Sequence, residues 1–167
     1  VVSWTDGELI DLQIGSGGVI DINDSSLNPV IFRGIVSNAG TVNLMSYEGN
    51  LGSLADLAVF NNLGTLNVLN SRIKSNLKLN NTGVVNLGNS TRSVDLIVNG
   101  GFNNTGSINA TYGSLVFTSD VSNHGKITTQ SLGPFVSGGY NVEFRGGTHT
   151  FNTTAVFTGD QYIASGN

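Results

Sequence analysis

The chain has 167 residues, of which 38% are hydrophobic and only 11% are charged, and its formal net charge is −4. This acidic balance argues against nucleic-acid binding, which needs clustered lysine and arginine side chains to neutralise phosphates. The chain contains no cysteine, which excludes disulfides and thiolate metal sites, and no apolar run approaches the roughly 18 residues of a membrane-spanning helix.

A short phrase that ends in glycine recurs along the whole chain. Its copies end at Gly18, Gly40, Gly64, Gly83, Gly106, Gly125 and Gly147, at intervals of 19 to 24 residues. In five copies an asparagine stands two residues before the glycine: Asn38, Asn62, Asn81, Asn104 and Asn123. Repeats of this length are typical of stacked supersecondary units, so we predict one solenoid over residues 1–167, part of a larger protein or filament.

The residues after each glycine alternate between apolar and polar. Two and four residues after the glycine the side chains are nearly all apolar, as in Val42 and Leu44, whereas the residues between them are polar, as in Thr41 and Asn43. This period of two predicts a strand with one buried face. Further short apolar runs, such as Leu96-Ile97-Val98, predict one or two more strands in each coil, with length changes absorbed at one corner.

These patterns predict an all-β, single-stranded parallel β-helix of about seven to eight coils of 19–24 residues. Glycine is expected at the turn because it accepts positive φ, and asparagine because it is the next most tolerant residue. Stacked coils would place the turn asparagines in a vertical row that hydrogen-bonds from coil to coil. The alternative is a set of solvent-exposed turn side chains. A second row is expected through Asn43, Asn67, Asn86 and Asn109.

The chain resembles the long β-helical repeat regions of adhesin-like and filamentous-haemagglutinin-like proteins. The matching segments are Trp4–Gly7, Val36–Asn43, Phe60–Leu66, Phe102–Ile108 and Phe144–Phe151. The resemblance implies a right-handed parallel β-helix, an extracellular or cell-surface location and a role as a stalk or adhesive surface. It supplies no catalytic residues. The first and last copies depart from the pattern, since they lack the asparagine.

Neither a catalytic centre nor a metal or other cofactor site is expected. No two consecutive coils place Asp or Glu at the same repeat position, as the paired carboxylates of a polysaccharide lyase or hydrolase would require. Asp6, Glu8 and Asp11 could bind a cation weakly, but a solvated segment is the simpler interpretation. His124 stands at a turn tip and should face solvent, whereas His149 falls at an inward position, unless the register slips in the last coil.

Six Asn-x-Ser/Thr sequences are candidate N-glycosylation sites if the chain is secreted from a eukaryotic cell. They begin at Asn23, Asn80, Asn89, Asn103, Asn109 and Asn152. Asn89 and Asn103 lie closest to turns and are the better candidates.

The leading interpretation is a non-enzymatic structural or adhesive module of an extracellular stalk, surface adhesin or filament. Its expected partners are neighbouring coils or identical subunits at the solenoid ends, and surface glycans. Nucleic acid and membrane insertion are not expected, since the basic stretch at Arg72, Lys74, Lys78 and Arg92 is interpreted as a solvated face. The alternative is a carbohydrate-binding or carbohydrate-processing β-helix, in which Trp4, Tyr47, Tyr112, Tyr140 and Tyr162 would stack on sugars.

Overall fold

A computed structural model describes residues 1–5, 7–23, 30–45, 50–51, 59–69, 72–75, 78–88, 94–110, 113–129, 142–151, 153, 155–158 and 161–165. These residues form strands and turns, and no helix occurs among them. The strands in chain order are β1 (Val2–Trp4), β2 (Gly7–Ile10), β3 (Gln13–Ile14), β4 (Val19–Ile22), β5 (Val30–Arg33), β6 (Ile35–Asn38), β7 (Thr41–Leu44), β8 (Asn50–Leu51), β9 (Val59–Asn62), β10 (Thr65–Val68), β11 (Arg72–Ser75), β12 (Lys78–Asn81), β13 (Val84–Leu87), β14 (Val94–Val98), β15 (Phe102–Asn104), β16 (Ser107–Ala110), β17 (Gly113–Phe117), β18 (Val121–Asn123), β19 (Lys126–Thr129), β20 (Val142–Arg145), β21 (His149–Phe151), β22 (Val156–Thr158) and β23 (Gln161–Ser165).

The strands stack in parallel into three faces. Within the described residues, face 1 has eight strands in the order β1-β4-β7-β10-β13-β16-β19-β22. Face 2 has seven, in the order β3-β6-β9-β12-β15-β18-β21, and face 3 consists of the pair β2-β5 and the six strands β8-β11-β14-β17-β20-β23. The chain therefore runs from face 2 through face 1 to face 3 and back to face 2 one level further on. The predicted all-β parallel solenoid is confirmed, while its right-handed sense stays a prediction.

Alternation of buried and part-exposed residues positions the core. In β4, β7, β10, β13 and β16 every second residue is buried, which places Val42, Leu66 and Val85 in one inward row. Face 3 and face 2 contribute phenylalanines to the same bore, and Phe102, Phe117 and Phe144 pack with ring centroids 4.7 and 5.4 Å apart. Stacked aromatic and aliphatic side chains thus form one continuous hydrophobic core.

The varying coil length is absorbed differently from the prediction. Two residues separate the strands of face 2 and face 1 in five successive coils. The first of these turns lies between Asn38 and Thr41, and the last lies between Asn123 and Lys126. The connections on both sides of face 3 change length instead, as the gaps from Leu44 to Asn50 and from Val98 to Phe102 illustrate. The single-corner prediction is therefore wrong. The asparagines of the constant turn hydrogen-bond to one another from coil to coil, and an insertion in this turn would move them out of register.

The last copy of the repeat lies on a different face from the one that the sequence predicts. His149 pairs with Val121 and Phe151 with Asn123, so β21 belongs to face 2 rather than to face 1. Gly147, with φ of +80°, lies in the corner that precedes face 2, and Val156 is the residue that pairs with Lys126. Alternation alone cannot separate the two faces, because strands of both faces bury every second residue.

Candidate functional site

Five asparagines form a regular column at the turn between face 2 and face 1, which we call the inner ladder. The Nδ2 of each of the first four donates to the Oδ1 of the next asparagine along the stack. The four bonds join Asn38 to Asn62 at 2.8 Å, and Asn62 to Asn81, Asn81 to Asn104 and Asn104 to Asn123 at 2.7 Å each. All five side chains are at most 1% exposed, so they are core residues rather than solvent-exposed turn residues.

The inner ladder also uses its second amide hydrogen. The Nδ2 of Asn38 donates to the backbone oxygen of Thr65 at 3.0 Å, and that of Asn62 to the backbone oxygen of Val84 at 3.0 Å. At the start of the ladder, the Oδ1 of Asn38 accepts from the N–H of Gly40 at 3.0 Å. Burying an amide without hydrogen-bond partners destabilises a fold, and here both amide hydrogens of Asn38 and Asn62 are bonded to the next coil. The ladder therefore fixes both the turn and the register between coils.

The turn glycines are required for close approach rather than for their backbone dihedrals. Among the described residues, positive φ occurs at Asp11 and at seven glycines, of which only Gly147 ends a copy of the repeat, and at none of the residues of the constant turn. A Cβ on Gly64, Gly83, Gly106 or Gly125 would overlap the carbonyl oxygen of the turn glycine one coil earlier. The positive-φ explanation is therefore wrong for the turn between face 2 and face 1, although it holds at Gly147 in another corner. The turns stack so tightly that no side chain fits between successive glycines.

A second row of asparagines follows the outer side of face 1. Asn43 donates to Asp21 at 2.7 Å, and Asn67, Asn86 and Asn109 each donate to the asparagine one coil earlier at 2.7, 2.8 and 2.9 Å. These amides donate towards the N-terminal end, opposite to the inner ladder. The row ends on the carboxylate of Asp21, and hydrogen bonds to a charged acceptor are stronger than neutral ones.

A third row, on the outer side of face 2, was missed by sequence reasoning. Asn80 donates to Asn61 at 2.8 Å and Asn103 to Asn80 at 2.9 Å. The signal was present as the doublets Asn61-Asn62, Asn80-Asn81 and Asn103-Asn104. In a strand, adjacent residues point to opposite faces, so each doublet supplies one amide to the inner ladder and one to the third row.

The sequence-predicted glycosylation residues fall in different environments. Asn23 is exposed just after β4, and Asn103 is exposed at the last rung of the third row. Asn80 and Asn109 are half-buried and belong to the third and second rows. Asn89 and Asn152 lie outside the described residues.

The acidic side chains of the N-terminal segment have structural partners. Glu8 forms an ion pair with Arg33 at 2.9 Å, and the Oδ1 of Asp11 accepts from the N–H of Ile35 at 2.9 Å. Further along the chain, the Oδ1 of Asp120 likewise accepts a hydrogen bond from the N–H of Thr148 at 2.9 Å. Asp6 lies outside the described residues. Among the residues that are described, no three His, Asp or Glu side chains are grouped as metal ligands.

The two histidines differ in environment. His124 is exposed at the turn tip, as expected. His149 is half-buried with its ring centroid 4.9 Å from that of Phe144, and neither ring nitrogen has a hydrogen-bond partner in the described structure. A catalytic imidazole is oriented by a hydrogen-bonded partner, and no such partner of His149 is found in the described part of the chain.

A cavity of about 340 Å³ opens at the first levels of the bore. Its lining is almost entirely apolar and includes Trp4, Leu9 and Ile14. Trp4 packs against the hydrophobic core, so it does not present its ring to a sugar on the outer surface. Tyr47, Tyr112 and Tyr140 lie outside the described residues. The described lining contains no Asp, Glu, His, Lys or Arg side chain, and it is suited to packing apolar groups.

Comparisons with protein-family models, with curated proteins and with solved structures find no match to this chain. Among the residues that the structure describes, no helix has the length and apolar character needed to cross a membrane. The interpretation of function therefore rests on the repeat and on the three amide rows.

Proposed function

We propose that this chain is a non-enzymatic structural module of an extracellular stalk, surface adhesin or filament. The observation that carries the proposal is the inner ladder, in which five buried asparagines bond in series through successive coils. The amide groups of this column hydrogen-bond to neighbouring coils and hold them in register, so they are not available to bind a substrate. The amides of the second and third rows are also bonded from coil to coil.

The proposed partners are further coils, either of the same polypeptide or of identical subunits. Parallel strands at the two ends of the described stack, β1 and β22 on face 1, each have one unpaired edge. Unpaired edges are templates for adding strands. Exposed apolar side chains accompany them, with Val2 56%, Phe151 42% and Val156 46% exposed. Surface glycans are a second proposed partner class, as the resemblance to adhesin-like repeats implies.

The proposed extracellular or cell-surface location rests on that same resemblance.

A tandem chain tests the structural role. Two copies joined by a short flexible linker are compared with one copy by small-angle X-ray scattering and by thermal unfolding. End-to-end stacking predicts one rod of about twice the length, because coils add roughly 4.8 Å each. It also predicts a higher melting temperature, since an added interface stabilises neighbouring repeats. Two independently tumbling units with the melting temperature of one copy would contradict the end-to-end role.

A glycan array tests the competing interpretation on the same protein. Measurable affinity for a defined oligosaccharide, or cleavage of a polysaccharide, would replace the structural module with a carbohydrate-binding or carbohydrate-processing protein.

A further inference from the structure

The corner that joins β14 to β15 contains a sequence found at no other place in the chain. Asn99 is followed by Gly100 and Gly101, and no other asparagine is directly followed by glycine. Glycine carries no side chain to hinder attack by its own amide nitrogen and adopts backbone conformations that other residues avoid. These are the two local requirements for an asparagine side chain to close a ring onto the following peptide nitrogen.

The surroundings of Asn99 activate its side-chain carbonyl. The hydroxyl of Thr118, which lies one level further along the stack, donates to the Oδ1 of Asn99 at 2.5 Å. A hydrogen-bond donor at this position polarises the carbonyl and stabilises the negative charge that develops on oxygen during nucleophilic attack. The two side chains are held together because Val98 pairs with Phe117 in the adjoining strands.

The attacking group is also available. None of the hydrogen bonds formed among the described residues uses the N–H of Gly100. Asn99, Gly100 and Gly101 are all half-exposed, so solvent reaches the corner. In contrast, the inner-ladder residue Asn38 is fully buried and is followed by Ala39.

We propose that Asn99, activated by the hydroxyl of Thr118, is a site of spontaneous deamidation that marks the age of the folded protein. Hydroxide removes the proton of the Gly100 N–H, and the nitrogen attacks the Cγ of Asn99. A bond forms between that nitrogen and Cγ, the Cγ–Nδ2 bond breaks, and Nδ2 leaves as ammonia. Water then opens the five-membered imide at one of its two carbonyls, giving an aspartate or an isoaspartate linkage. The net change is one water consumed and one ammonia released.

The product alters a tightly held corner. Residues 99–101 connect two strands that are both fixed, since Val98 pairs with Phe117 and Phe102 pairs with Val121. An isoaspartate linkage inserts one additional carbon into this three-residue connection. The new carboxylate stands in the same column of corners as Asp120, whose backbone oxygen accepts from the N–H of Phe102 at 3.0 Å. The added carbon strains the connection, and the added negative charge stands near that of Asp120. We expect both changes to weaken the stacking of the coils that follow, independently of the function proposed above.

Peptide mapping by mass spectrometry tests the proposal. The full chain is incubated for days at mildly alkaline pH, folded or unfolded in urea, and the conversion of Asn99 is followed together with the appearance of isoaspartate. We expect conversion at Asn99 in the folded chain, with the inner-ladder asparagines intact. An unchanged Asn99 in the folded chain, together with its conversion in urea, would overturn the proposal.

The variant Thr118→Val separates the effect of the folded structure on the rate of conversion from the effect of the local Asn-Gly sequence. Thr118→Val should slow conversion in the folded chain by about tenfold, less than the roughly 10²–10³ of an enclosed oxyanion hole. In urea the variant and the parent should react at the same rate, because the hydroxyl is no longer held against Asn99. Equal rates in the folded state would remove the activating role of Thr118 and contradict the proposal.

Discussion

The side chain of Asn81 donates to that of Asn104 at 2.7 Å, although 23 residues separate them in the sequence. Both amides are almost fully buried, and neither contacts a charged group in the described ladder. Neutral amides that repeat once per coil therefore hold together residues that are distant in the sequence. Single substitutions in the ladder can test this directly.

Replacing Asn62 by valine should destabilise the protein by about 2–6 kcal/mol. The change leaves the Nδ2 of Asn38 without its acceptor and the Oδ1 of Asn81 without its donor, and each buried unpaired group costs about 1–3 kcal/mol. Urea unfolding of the variant gives the value. Asn23→Val is the control, because Asn23 is exposed and lies outside the ladder. Equal unfolding midpoints for the two variants would show that the ladder contributes nothing.

Replacing Gly83 by alanine should cost about 1–3 kcal/mol or more, because the added methyl group overlaps the backbone oxygen of Gly64. Gly15→Ala is a matched control, since a Cβ at Gly15 meets nothing within 4 Å. At that position alanine should be neutral or slightly stabilising, because it restricts the unfolded chain. Thermal unfolding compares the two variants. A tolerated Gly83→Ala would mean that the turns are further apart than described.

Asn81→Asp should destabilise the protein more at neutral than at acidic pH. The substituted side chain cannot donate to Asn104 when it is ionised, and burial raises the pKa of the introduced carboxyl above its unfolded value of about 3.9. The protonated form is favoured in the folded state, so stability is greatest below the unfolded pKa and is lost as the pH rises through the folded pKa. Unfolding of variant and parent between about pH 4 and 7 measures the difference. A pH-independent difference would place residue 81 in contact with water.

His149→Leu should stabilise the last coils by about 1 kcal/mol. Both ring nitrogens of His149 lack partners in the described structure, and replacing an unsatisfied buried polar group by an apolar one removes its desolvation cost. His124→Leu is the control and should change stability little, because His124 is exposed. Differential scanning calorimetry gives the comparison. A destabilised His149→Leu variant would show that the imidazole has a partner after all.

The coil, its inward rows and the position of the inner ladder follow from the sequence because the turn has constant length. Asn38, Asn62 and Asn81 each stand two residues before a glycine, so counting from the glycine places them at one level of successive turns. The same counting fails at His149, where the preceding glycine belongs to another corner. The third row is harder to predict, because Asn61 and Asn80 lie on the outer face and each directly precedes an asparagine of the inner ladder.

Burial and direction of bonding could not be predicted from the residue types. The sequence favours a ladder but is also compatible with solvent-exposed asparagines, and the burial of the ladder depends on how closely successive turns stack. The opposite donor directions of Asn62 and Asn67 likewise depend on which backbone oxygen lies within reach of each amide. The Asn99–Thr118 contact depends on a corner between two strands whose pairing the repeat does not specify.

Hydrogen exchange of asparagine side-chain amides, followed by NMR on protein labelled with ¹⁵N at asparagine, tests the central claim most directly. The Nδ2 hydrogens of Asn62 and Asn81 should exchange as slowly as the backbone amides of the core strands, since both hydrogens of each are bonded between coils. Those of Asn23 should exchange at the rate of a free amide. Rapid exchange at Asn62 and Asn81 would mean that the ladder is open to water, and the amide-held solenoid would be contradicted.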